Sequence, residues 1–231
     1  MIENIVPIDN PRQDPNFIPI DLTYPGLRQV SLDPPIYLID DFLTADKCIS
    51  LIDQTENTSA LVRSPVVGKG NGVVSNDRTS DTCFIRREDV PTLMENVSRF
   101  LLGKSAQEIE LPQIGRYFPS QEYRPHYDAF LMTDEDARRF AENGGQRLAT
   151  VLVYLNDCPN GGCTEFTRLD LRVHPRQGTA LVFFPADING TLDERALHAG
   201  CPAITTKYVC QIWVRESAFT AVSQIQLQNP I

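Results

Sequence analysis

Six cysteines occur in this 231-residue chain, yet no two of them form a C-x-x-C pair. That absence disfavours a structural zinc site. No stretch approaches 18 consecutive apolar residues, and the opening MIENIVPIDNPRQDPNF has no basic flank followed by an apolar run. Neither a membrane span nor a signal peptide is therefore expected, and the chain reads as cytoplasmic and soluble, with all six cysteines as reduced thiols. Basic residues are in the minority, 21 against 30 acidic ones, for a formal charge of −9. Such a field is unfavourable to nucleic acid or an anionic membrane as a partner. Internal repeats and low-complexity tracts are missing too, and the length suits one domain.

What is present changes character along the chain. Residues 1–34 are rich in Pro, Asn and Asp and read as an extended N-terminal arm. A short strand at Ile36–Ile39 precedes a helix from Ala45 to Gln54 capped by Thr44, and a second helix is expected from Val90 to Leu102, with Asp89 as its cap and Pro91 in its first turn. Between them SPVVGKGNGVVSNDRTS, Ser64 to Ser80, reads as a long mobile loop of the kind that often serves as a lid. From about residue 106 short β-branched and aromatic runs follow one another: LPQIGRYF, RLATVLVYL, DLRVHP, TALVFFP and KYVCQIWV, with a polar insertion at 133–146 able to form a helical turn. Helices followed by at least five strands predict a mainly β, α+β fold, a sandwich or jelly-roll barrel buttressed by helices on one side. The expected boundaries are helical support over 35–105, barrel over 106–217, and a tail over 218–231.

Chemistry is concentrated in YRPHYDAF, Tyr123 to Phe130. On extended backbone, residues two apart share a face, so His126 and Asp128 would present an imidazole and a carboxylate to one small volume. Of the two other histidines, His174 sits in the turn VHPRQG, whereas His198 in ERALHAGCP precedes a strand. Two histidines and one carboxylate on one face of a metal make the facial triad of non-haem Fe(II), with coordination positions left open for reaction.

With these residues in place, the chain from about Pro35 to Glu216 resembles the 2-oxoglutarate/Fe(II) dioxygenases of the prolyl 4-hydroxylase type. The resemblance rests on an ordered series: RTSDTCF, QIGRYFPSQEYRPHYDAF, GGQRLATVLVYLND, GGCTEF, VHPRQGTALVFF, and HAGCP followed by Lys207 and Trp213. It implies a double-stranded β-helix, a jelly-roll barrel, and a requirement for Fe(II), 2-oxoglutarate and O2, with ascorbate as a reductant. It assigns the metal to His126, Asp128 and His198, and the cosubstrate to Lys207, Tyr117 and Thr164. Tyr123 and Arg147 would line a substrate groove and Trp213 flank it. Two departures mark this chain: Lys207 follows His198 by nine residues where ten is common, and Cys163 stands where glutamate is usual. Alternation along KYVCQIWV would point Lys207, Val209, Gln211 and Trp213 into the barrel, where a lysine requires an anion.

The implied reaction is oxidative decarboxylation of 2-oxoglutarate to succinate and CO2, coupled to hydroxylation of an unactivated C–H. A prolyl residue in a peptide or protein leads as substrate, since a polyproline II segment is ordered before it binds. The alternatives are the same chemistry on a free amino acid or small metabolite, and a jelly-roll binding module without catalysis.

Overall fold

Long apolar runs read as strands become the central members of an antiparallel sheet. The protein is described here by a computed structural model covering residues 7–57, 60–68 and 72–220. In chain order the elements are β1 (Leu27–Leu32), β2 (Pro35–Ile39), α1 (Ala45–Glu56), β3 (Val62–Arg63), β4 (Pro65–Val66), β5 (Val73–Val74), β6 (Asp81–Phe84) and α2 (Pro91–Phe100). There follow β7 (Gln113–Tyr117), β8 (Tyr123–His126), α3 (Glu135–Ala141), β9 (Arg147–Tyr154), β10 (Thr164–Phe166), β11 (Leu171–Val173), β12 (Ala180–Phe183), β13 (His198–Gly200) and β14 (Lys207–Arg215). The major sheet runs β1-β2-β12-β9-β14-β7-β6-β3, the minor sheet β11-β10-β13-β8, and β4 pairs only with β5. These two sheets make the jelly-roll barrel, with helices covering the outer face of the larger one.

Period-two alternation separates the two cores. Val151 and Val153 of β9, Val182 of β12 and Ile212 of β14 share a core with Cys48 and Leu51 of α1 and Leu93, Val97 and Phe100 of α2. Their neighbours Leu152, Tyr154, Leu181, Phe183 and Val209 point the other way, against Phe166 and Val173 of the minor sheet. Full burial of each such apolar side chain contributes roughly 1.5–3 kcal/mol. The strands look uniformly apolar in sequence because both faces of this sheet are covered.

Several local expectations change. Residues 27–32, read as part of an extended arm, form an edge strand paired along β2. Earlier arm residues Phe17, Ile18, Ile20 and Tyr24 are buried in the helix-side core. Thr44 does cap α1, its hydroxyl accepting from the Lys47 N–H at 3.4 Å. Asp89 does not cap α2: it closes a 3-10 turn at Arg87–Asp89 and accepts from Arg86 Nε and Nη2, at 2.9 and 3.0 Å. Val90 holds the N-cap position without a side-chain bond, Pro91 opens the helix as expected, and the helix stops at Phe100. The Ser64–Ser80 segment is not loop throughout, since β4 and β5 make a small hairpin; residues 69–71 within it lie outside the described residues. So does the expected tail from 221 onward.

The cysteine expectation is also corrected: Cys163 and Cys201 are disulfide-bonded, with Cα atoms 5.1 Å apart, while Cys48, Cys83, Cys158 and Cys210 are buried thiols. The physical reason is strand register. Thr164 of β10 pairs with Gly200 of β13, which sets the preceding Cys163 opposite the following Cys201. A separation of 38 residues hides that proximity in the sequence. Among the described residues no helix is long and apolar enough to cross a membrane.

Candidate active site

Antiparallel pairing of β8 with β13 places His126 directly opposite His198, their ring centroids 4.3 Å apart. Asp128, two residues beyond His126, comes to the same side, so the 72-residue interval is closed by one backbone register. His126 Nε2 is 3.8 Å from Asp128 Oδ1 and His198 Nε2 is 3.7 Å from Oδ2. Among the described residues this is the one group of three or more His, Cys, Asp or Glu placed to hold a metal ion, its ligand atoms all within 4.8 Å of one another. His174, in the turn after β11, is outside the group.

The groups around the triad are arranged for a cation. His126 Nδ1 lies 2.8 Å from the Arg124 carbonyl and His198 Nδ1 3.0 Å from the Ala196 carbonyl. A carbonyl can only accept, so both Nδ1 atoms carry protons and both Nε2 lone pairs are left for a metal. Burial, followed by the neighbouring His198, pushes the His126 pKa down to about 3, which keeps the ring neutral. For Asp128, burial acts to raise the pKa, but His198, His126, Arg147 and the Thr150 hydroxyl together hold it below its ordinary value. Thr150 Oγ1 donates to Asp128 Oδ2 at 2.7 Å and so orients the carboxylate. Tyr123 stacks on the His126 ring, centroids 3.4 Å apart. A neutral imidazole pair with one oriented carboxylate is a donor set that fits Fe(II).

Beneath the triad a narrow cavity is lined by Tyr117, Thr164, Lys207 and Gln211 as well as the three residues themselves. Lys207, at 3% exposed, has one hydrogen bond, to the Gly162 carbonyl at 2.7 Å, and no carboxylate within ion-pair distance among the described residues. Burial pulls its pKa down to about 8. Gly162 adopts φ +63, and a Cβ there would come within 3.1 Å of the lysine Cδ, so glycine makes this approach possible. Tyr117 sits across from Lys207 in the β7–β14 register, its ring 5.0 Å from Nζ. Thr164 Oγ1 accepts from the Tyr154 hydroxyl at 2.9 Å.

Above the triad a larger chamber of about 390 Å³ opens outward. Tyr123, Tyr127, Phe130, Phe140 and Trp213 supply aromatic walls. Arg147, which sequence places in this groove, lies over the Trp213 ring at 3.9 Å. Its guanidinium is held bidentately by Glu110, at 2.7 and 2.9 Å, and Glu110 also receives Arg215 at 3.2 Å. Glu110, Arg215, Gln113, Thr150 and Tyr154 also belong to the site, although no motif singles them out. Thr150 and Gln113 could have been found from alternation along β9 and β7; Glu110 lies in an irregular segment with no sequence signal.

Residues 112–215 match the family described as the 2OG-Fe(II) oxygenase superfamily. Prolyl 4-hydroxylase 1 of Arabidopsis thaliana is 31% identical over 207 residues, covering 82% of this chain and 71% of that protein. A relative from Acanthamoeba polyphaga mimivirus, provisionally named a prolyl 4-hydroxylase, is 34% identical over 65% of this chain, which spans 63% of that relative's length. Among solved structures, a viral collagen prolyl hydroxylase from Paramecium Bursaria Chlorella virus-1, in complex with 2OG, superposes with a TM-score of 0.61 at 27% identity, covering 78% of this chain and 95% of that one.

Proposed function

Because this chain belongs to the prolyl 4-hydroxylase-type 2OG-Fe(II) oxygenases, we propose that it hydroxylates a prolyl residue within a peptide or protein. His126, Asp128 and His198 hold the Fe(II), and Lys207 receives the distal carboxylate of 2-oxoglutarate. One observation carries the reading: a buried lysine without a carboxylate partner faces the same cavity as a two-histidine, one-carboxylate cluster. An unpaired buried ammonium is costly, and a dicarboxylate that also reaches the metal offsets that cost.

When bound, Fe(II), 2-oxoglutarate and O2 supply the oxidative decarboxylation that releases succinate and CO2 and places one oxygen atom into a C–H bond. The chain's residues position and exclude. Thr150 fixes the Asp128 carboxylate, and the Arg124 and Ala196 carbonyls fix the imidazole tautomers. Lys207, Tyr117 and Thr164, which line the lower cavity, bind the cosubstrate from below. Tyr123 separates the lower cavity from the chamber above, contributing to both walls. The aromatic chamber takes an extended chain and keeps water from the reacting C–H, with Arg147 and Trp213 flanking it. We assign this activity to residues 35–217 as a single catalytic domain, to whose sheet and core the preceding arm adds β1 and the buried side chains of Phe17, Ile18, Ile20 and Tyr24.

The test is to incubate the iron-loaded protein and 2-oxoglutarate with a panel of proline-containing peptides and read the products by mass spectrometry. A gain of one oxygen atom on proline, dependent on both cofactors and matched by succinate, is the expected result. Succinate formation accelerated only by a free amino acid or metabolite, with every peptide unchanged, would overturn the prolyl assignment.

A further inference from the structure

The outer chamber carries a charge opposite to that of the molecule. The chain as a whole is at −9, yet four arginines, Arg78, Arg139, Arg147 and Arg215, line the chamber against two carboxylates, Glu110 and Asp128. On the function proposed above, the lower site closes to neutrality: two positive charges from iron and one from Lys207 meet one negative charge from Asp128 and two from 2-oxoglutarate. Asp128 then contributes nothing to balancing the arginines. Arg139 has Asp136 on its own helix at 3.5 Å. Arg147 and Arg215 share the single carboxylate of Glu110. Arg78 has no carboxylate within ion-pair distance among the described residues.

Arg78 is built into position rather than draped over a surface. It is 3% exposed, with Nε donating to Ser80 Oγ at 3.1 Å and Nη2 to Gln113 Oε1 at 2.8 Å. Both acceptors are neutral, so they orient the guanidinium without cancelling its charge. The guanidinium carbon is 5.0 Å from the Tyr123 ring, which stacks on His126. Arg78 is thus within two or three residues of the metal site for an extended peptide rising about 3.3 Å per residue.

We propose that the chamber selects peptides carrying an aspartate or glutamate within three residues of the hydroxylated proline, and that Arg78 is the residue that receives this carboxylate. The inference rests on the prolyl reading and narrows it from any proline-containing peptide to acidic ones. A pre-oriented, desolvated guanidinium discriminates strongly between a carboxylate and its amide isostere, because the amide leaves the cation unneutralised.

The experiment uses paired peptides that differ only by Glu against Gln, or Asp against Asn, at each position within three residues of the proline, with a Lys series as the repulsive arm. Binding is followed anaerobically with Fe(II) and 2-oxoglutarate through the fluorescence of Trp213, the single tryptophan in the chain and part of the chamber wall. Turnover is read by mass spectrometry. At one or more positions the acidic peptide should bind on the order of tenfold more tightly than its amide twin, with the gap shrinking as salt rises. In Arg78→Gln the acid-to-amide ratio should fall toward one, while Arg78→Lys, which keeps the charge, should retain part of it. Equal affinity and turnover for acidic and amide peptides would overturn the charge rule and leave the prolyl reading standing. Charge-selective binding with no oxygen gained on proline would do the reverse. A ratio unchanged in a folded Arg78→Gln protein would overturn the assignment to Arg78.

Discussion

At the scale of single residues, Lys207 is where electrostatics can be tested with a definite sign. Its ordinary value of 10.5 is pulled down to about 8 by burial. Charging it penalises the folded chain at every pH below about 8. Between about 8 and 10.5 the unfolded chain binds more protons, so the stability of the ligand-free protein rises through that window, by roughly 3 kcal/mol in total. On the proposed function cosubstrate binding runs the other way, because a dianion seated against Lys207 requires the ammonium. The dissociation constant for 2-oxoglutarate should stay flat below pH 8 and climb about tenfold per pH unit above it; a flat profile to pH 10 would remove Lys207 from the cosubstrate site. Lys207→Ala should cost on the order of 2–5 kcal/mol of cosubstrate binding with Fe(II) affinity little changed, which anaerobic calorimetry separates. The histidines give a second residue-scale prediction. His126→Ala and His198→Ala should each abolish metal binding and turnover, and His174→Ala should leave iron stoichiometry by elemental analysis unaltered.

Among the elements, the β4–β5 hairpin is the weakest piece of structure beside the chamber. Each strand has two residues, Val67, Val73 and Val74 are exposed, and Pro65, Val66 and Val67 line the chamber mouth. Arg139 of α3 donates to the Gly68 carbonyl at 3.0 Å, one tie between hairpin and rim. So few buried contacts predict low local stability. Amide hydrogen exchange across 64–80 should be fast in the free protein and slow by at least about tenfold with a bound proline peptide. Peptide binding without any added protection there would show that the hairpin does not close over the substrate. Legibility at this scale was uneven for a physical reason. Gly, Asn and Ser density marked the segment as irregular, but two-residue strands are too short to leave a period in the sequence. Asp89 shows another limit: a good capping residue beside an arginine three positions back was taken by that arginine.

For the whole molecule, the barrel and its ligands should stabilise one another. The triad joins β8 to β13, and Lys207 on β14 meets Gly162 before β10, so ligands seated there bridge both sheets. Any ligand that binds only the folded chain adds about 2.7 kcal/mol at a hundred times its dissociation constant. Fe(II) with 2-oxoglutarate should therefore raise the midpoint of thermal unfolding by several degrees, and the rise should vanish in His126→Ala; scanning calorimetry under nitrogen checks both.

What the sequence determined by itself was the long strands and the part of the site that depends on two-residue spacing. Runs of β-branched and aromatic residues marked β7, β9, β12 and β14, and period-two alternation turned Lys207 and Trp213 of β14 to one side. The two-residue step from His126 to Asp128 put imidazole and carboxylate together, and the turn setting of His174 set it apart from the triad. These follow because backbone geometry repeats every two residues on a strand whatever the rest of the chain does. Only the tertiary structure decided the contacts between distant segments. Which strands lie side by side is set by burying both faces of the large sheet at once, a property of the whole chain. That packing made Cys163 and Cys201 neighbours, put Glu110 between Arg147 and Arg215, and left Arg78 in the chamber wall with neutral partners. No local pattern carries such pairings, because each joins residues from strands and loops whose adjacency is itself the outcome of folding.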